Sequence, residues 1–135
     1  MKWRKQASST LSSLKSLRKD VMDTLASWNI CSEDDQFALE VVILELLSNA
    51  VKHGNRWQEE KKVKVNMRYL PAARNLILLV CDEGTGPIMV KEAVGMEEEG
   101  RGLMVVEALC NKLTVGRGRV WVRKELRNEE KSTNR

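Results

Sequence analysis

Glu45-Leu46-Leu47-Ser48-Asn49-Ala50-Val51-Lys52-His53-Gly54 closes a run that, from Phe37 onward, reads as one helix. Ser32 suits the N-cap, and the acids Glu33, Asp34 and Asp35 suit the positive helix end. Gly54 suits the residue just past the helix, with Lys52 and His53 in the last turn. Val41, Val42, Ile43, Leu44, Leu46, Leu47, Ala50 and Val51 cover the helix nearly all round, which predicts burial. Glu45 and Asn49 interrupt this apolar surface. They share a face with Ser48 and Lys52 beside them. A carboxylate and an amide at such positions either hydrogen-bond within the core or line a polar cavity. The stretch by itself leaves both readings open.

Two glycine-bearing segments follow, Asp82-Glu83-Gly84-Thr85-Gly86 and Gly100-Arg101-Gly102-Leu103. An Asp-Gly turn after a strand is common, and so is a glycine at the start of a helix. The order and setting of all three segments are specific. The chain resembles the GHKL ATPase superfamily, which includes gyrase, Hsp90, histidine kinases and MutL. Within it, the chain is most similar to the small anti-sigma-factor serine-protein kinases of bacteria. Glu45 to Gly54 resembles their N box, Asp82 to Gly86 their first glycine box, and Gly100 to Leu103 their second. The resemblance spans about residues 10–126.

A chain of 135 residues accommodates one domain with a modest core. No apolar run reaches bilayer-spanning length and no signal peptide follows Met1, so a cytoplasmic location is expected. Cys31, Cys81 and Cys110 sit unevenly in apolar contexts, as reduced structural thiols do. The net charge of +4 is concentrated toward the ends, with Lys2, Arg4 and Lys5 at one and Arg117, Arg119 and Arg123 at the other. No nucleic-acid motif or aromatic stacking platform accompanies these cations, so no direct nucleic-acid binding and no membrane partner are expected.

Along the chain, residues 1–9 are polar and are expected to be mobile. From Thr10 to Trp28, Leu11, Leu14, Leu17, Val21, Leu25 and Trp28 recur at helical spacing, predicting an amphipathic helix. Val63, Val65, Met67 and Tyr69 alternate as a half-buried strand does, and Leu76 to Cys81 reads as a central strand. Pro87 to Glu99 lies between the glycine boxes, where a mobile lid is expected. Gly102 to Asn111 predicts a third helix. Leu113–Val115 and Val120–Val122 predict two strands joined by Gly116-Arg117-Gly118-Arg119. Residues 127–135 are charged and expected to fray. The whole predicts a single α+β domain, a two-layer sandwich of the Bergerat type. Its helices cover one face of a mixed, mainly antiparallel sheet.

The resemblance implies ATP with Mg²⁺ as the cofactors. Asn49 then supplies the one protein ligand to the metal, and Glu45, one turn earlier, faces the terminal phosphate as a general base. Asp82 accepts from the adenine amine, with Gly84 and Gly86 letting the backbone approach the base. Gly100, Arg101, Gly102 and Leu103 open a helix whose N-terminus suits phosphate. Lys52 and His53 stand at the helix end, near the phosphates. The chain departs from the family in having Gly118-Arg119-Val120 where Gly-Thr is frequent, in Pro87 after the first glycine box, and in an N-terminal strand that is hardly visible before Thr10. The implied activity is phosphorylation of Ser or Thr on a small antagonist (anti-anti-sigma, STAS-type) protein. The implied role is that of an anti-sigma factor, with a sigma factor as a further partner and a homodimer as the assembly. The rival reading is a nucleotide-gated partner-switching module with little kinase activity.

Overall fold

The computed structural model describes residues 1–84 and 98–127. Strand β1 (Lys2–Ser8) leads into helices α1 (Leu11–Trp28) and α2 (Glu33–Asn49), and α2 runs on through a π-helical turn, Ala50–Gly54. Strands β2 (Lys62–Leu70) and β3 (Asn75–Cys81) come next, then α3 (Glu98–Leu109), β4 (Lys112–Gly116) and β5 (Arg119–Glu125). The sheet order is β1-β2-β3-β5-β4. All of its pairings are antiparallel, so the sheet is purely antiparallel rather than mixed. The helices lie on one face. Val63, Val65 and Met67 of β2, Leu76, Leu78 and Val80 of β3, and Val122 of β5 point into them and are buried.

Strand β1 corrects the expectation of a mobile start. It pairs with β2 from Lys2 opposite Arg68 to Ser8 opposite Lys62. Sequence gave little sign of it because it is an edge strand with one covered face. Trp3 and Ala7 pack against the core, and the alternating position between them holds Lys5, which reaches Asp20 of α1. Charged residues are what edge strands use to discourage further pairing.

Helix α1 is capped at both ends. Thr10 Oγ1 accepts from Ser13 N at 3.1 Å, and Asn29 closes the helix in the left-handed conformation at φ 55°. Helix α2 starts at the expected cap, with Asp35 N donating to Ser32 Oγ at 3.1 Å. It is not apolar all round in its setting, since Phe37 and Leu44 face outward. Its end also differs from expectation. Gly54 lies inside the π-helical turn and is not a left-handed cap. The chain leaves instead through two successive left-handed residues, Arg56 at φ 50° and Trp57 at φ 60°. Helix α3 begins at Glu98 rather than Gly102. Leu103 and Val106 seat it on the core, and Cys110, just beyond it, has a thiol that burial pushes up to about 11. No helix among the described residues is long and apolar enough to cross a membrane.

Candidate functional site

The connection between β3 and β4 carries the two glycine-bearing segments, and the fold brings both against the end of α2. Asp82 follows β3 directly. Its N–H donates to the Gly118 carbonyl at 2.9 Å, and its Oδ1 accepts from Gly84 N at 2.8 Å. Burial pushes the Asp82 carboxyl above the usual range, against the opposing pull of the Gly84 N–H and the Lys61 charge. Gly118 takes φ 71° in the β4–β5 turn, a conformation that favours glycine, and this aims its carbonyl at the Asp82 N–H.

Glycines set how closely the segments approach. A Cβ on Gly54 would fall inside the Asp82 carboxylate, and one on Gly84 would overlap the Gly54 carbonyl. The end of α2 and the loop after β3 therefore touch backbone to backbone. A Cβ on Gly102 would overlap Glu45 Oε2, so the Glu45 carboxylate lies on the bare stretch of α3 that Gly102 provides.

A cavity opens between α2 and the β3–β5–β4 part of the sheet. Asn49, His53, Asp82, Gly84 and Leu103 line it, all of them expected site residues. Leu46, Ala50, Val80, Val115 and Val120 complete apolar walls of a kind that suits a flat ring, and Gly116, Gly118 and Arg119 close the hairpin side. Along α2 and its π-helical turn the lining positions are Leu46, Asn49, Ala50, His53 and Gly54. That is a helical stripe, turned by one position from the Glu45–Ser48–Asn49–Lys52 face singled out in the sequence. Glu45 accordingly sits beside the cavity, half-buried against α3, and Lys52 is exposed outside it. Gly100 lies in the first turn of α3. Gly86, the side chain of Arg101 and nearly all of the expected lid lie outside the described residues.

Two buried nitrogens mark the cavity. Asn49 Nδ2 and His53 Nε2 have no hydrogen-bond partner among the described residues. Buried polar groups are nearly always paired, and leaving one unpaired costs about 1–3 kcal/mol. The two lie one helical turn apart on the wall of one cavity, where a polar ligand would satisfy both.

Asn55 is the residue that the sequence did not reveal. It is fully buried just after the π-helical turn. Its Nδ2 donates to Ser9 Oγ at 2.8 Å and to the Lys62 carbonyl at 2.9 Å, and its Oδ1 accepts from Glu83 N at 2.8 Å. Glu83 in turn accepts from Lys62 N. One amide thus fixes the end of β1, the start of β2 and the loop that carries Asp82. An asparagine in a polar loop shows no periodicity, so only its place next to Gly54 hinted at it. The cavity stripe was within reach of sequence, because Leu46, Asn49, Ala50 and His53 follow helical spacing.

The model of the family described as "Histidine kinase-like ATPase domain" matches residues 7–124. No curated protein matches the chain.

Proposed function

The chain belongs to the histidine kinase-like ATPase domain family, and we propose that it is a Mg-ATP-dependent serine/threonine-protein kinase acting on a small antagonist protein of the STAS type. In that role it would serve as an anti-sigma regulatory factor. The observation that carries the nucleotide site is the pair of unpartnered buried nitrogens, Asn49 Nδ2 and His53 Nε2, in the cavity that holds Asp82. The kinase activity and its partner rest on the resemblance of the three segments to the anti-sigma-factor kinases.

The residues fit the nucleotide. Asp82, anchored by Gly118 and Gly84, accepts from the adenine amine while Val80, Val115 and Val120 hold the ring between apolar walls. Gly54 and Gly84 keep this corner free of side chains that would displace the base. No group of three or more His, Cys, Asp or Glu among the described residues forms a metal cluster. The Asn49 amide, turned so that its oxygen faces the cavity, would hold Mg²⁺ together with phosphate oxygens. The bound ion supplies charge neutralisation on the phosphates. Glu45 takes the proton of the acceptor hydroxyl as the new P–O bond forms and the bond to ADP breaks. The partner presents that hydroxyl to Glu45, which sits half-buried beside α3.

One observation favours the second reading, a nucleotide-gated binding module with little kinase activity. The Glu45 carboxylate lies on Gly102 and not in the cavity wall. The experiment separates the two. Saturating Mg-ATP or Mg-ADP raises the melting temperature of the protein, since a ligand of the folded state alone stabilises it. Labelled ATP with candidate antagonist domains then gives acid-stable label on one Ser or Thr, and Glu45→Gln lowers that transfer by about 10²–10⁴-fold without loss of the thermal shift. Nucleotide stabilisation without any transfer selects the binding module. An unchanged melting curve removes both readings.

A further inference from the structure

We propose that the outer face of the sheet, turned away from the helices, docks an acidic amphipathic helix of a partner protein. The register gives this face its layout. One row across it runs Lys2, Arg68, Ile77, Arg123, Lys112, and the next runs Arg4, Asn66, Leu79, Trp121, Thr114. Ile77, Leu79 and Trp121 are neither fully buried nor covered by any element among the described residues. They line a shallow groove with Arg4 and Arg68. An apolar strip thus lies along β3 and β5, with cations on both sides of it.

Among the described residues the cations have no intramolecular use that accounts for them. Lys2, Arg4, Lys64, Arg68 and Lys112 take part in no ion pair among the described residues, in contrast to Lys5 on the helix-facing side, which pairs with Asp20. Arg123 Nη1 only donates to Asn75 Oδ1 at 3.4 Å. The sole acid at the outward strand positions is Glu125, at the far end of β5. The widths match a helix. Adjacent strands lie about 4.8 Å apart, so Arg68 and Arg123 stand on the order of 10 Å apart across Ile77, close to the diameter of an α-helix. A helix lying along β3 would place an apolar stripe on Ile77, Leu79 and Trp121, with acids on its two flanks reaching Arg68 and Arg123. A second copy of this chain would oppose like charges across the same face. A nucleic-acid strand would find one aromatic ring set among aliphatic side chains rather than a stacking platform.

The test uses the full chain and a labelled synthetic peptide about five helical turns long, with leucines on one stripe and glutamates on both flanks. Fluorescence anisotropy is expected to show binding that weakens as salt rises. A scrambled peptide of the same composition, and the R68E/R123E variant with the original peptide, should each bind at least roughly tenfold more weakly. R68A/R123A should fall between, and both variants should keep the wild-type thermal shift with Mg-ADP, since neither arginine lines the nucleotide cavity. Equal binding of the scrambled peptide overturns the proposal, as does indifference to R68E/R123E. So does displacement of the peptide at lower concentration by oligo-dT or by phosphatidylserine-containing vesicles. A stable dimer that Trp121→Glu dissolves assigns the face to self-association and overturns it as well.

Discussion

The two ends of α2 contain the same kinds of residue and treat them in opposite ways. At the start Ser32, Asp34 and Asp35 are all engaged. Ser32 caps the helix, buried Asp35 accepts from Arg127 N at 2.7 Å, and Asp34 pairs with Arg127 Nη1 at 3.0 Å. At the finish Asn49 is buried and His53 half-buried, and one enclosed nitrogen of each has no partner among the described residues. The helix itself loosens there into a π-helical turn, a feature frequent at functional sites. A buried polar residue is therefore not by itself a functional sign, and its hydrogen bonds decide. The satisfied end fastens the chain after β5 to the helix layer, and the unsatisfied end faces a cavity.

The comparison can be broken most severely at the finishing end. Gly84→Ala drives a methyl into the Gly54 carbonyl, a backbone atom that has no rotamer to escape by. Destabilisation of at least about 1–3 kcal/mol is expected, along with loss of nucleotide-induced stabilisation, read from thermal melts with and without Mg-ADP. Asp35→Ala probes the starting end. It strands the buried-side partner Arg127 N–H and should cost about 1–3 kcal/mol, while the shift given by Mg-ADP stays as in wild type.

Asn49→Leu sharpens the contrast, because there the cost should vanish. The amide nitrogen it removes has no partner to strand, so the stability of the free protein should change by no more than about 1 kcal/mol, in either direction. The nucleotide-induced shift should nevertheless be lost. A large destabilisation of the free protein would mean that Asn49 serves the core as Asp35 does. The smallest effect expected is on pH dependence. Burial raises the Asp82 pKa, so the folded chain holds this proton more tightly than the unfolded one. Its contribution to stability therefore falls as pH rises from the ordinary carboxylate range through the raised value. Nucleotide affinity runs the other way, since the adenine amine needs the ionised acceptor. Titration with ADP at a series of mildly acidic pH values should show tighter binding as pH rises, and Asp82→Asn should flatten that slope.

Much of this architecture was legible in the residues. Helical spacing marked α1, the Ser32 cap marked the start of α2, and the apolar run Leu76 to Cys81 marked the central strand. Asp82 and Gly84 stood out only through the order and setting of all three segments, since an Asp-Gly turn after a strand is common. What was hidden depended on partners distant in sequence. Strand β1 is held by β2 and α1 and carries too few apolar residues to announce itself. The helix face that lines the cavity is offset by one position from the polar face, because Leu46 and Ala50 share it with Asn49 and carry no polar signal of their own. Gly54 looked like a helix terminator, yet its real constraint is the Asp82 carboxylate pressed against it.

Asn55 has a consequence for how the molecule opens. Three segments meet on its single amide, so any movement of the Asn55 side chain loosens all three at once. The Glu83 and Lys62 backbone amides, although at a loop and at a strand end, are both tied into this junction. In hydrogen exchange they should behave as one cooperative unit with the last residues of β1. Local opening of the loop that carries Asp82 would then be the same event as fraying of the first strand. The most distant edge of the sheet and the floor of the cavity would share one clock.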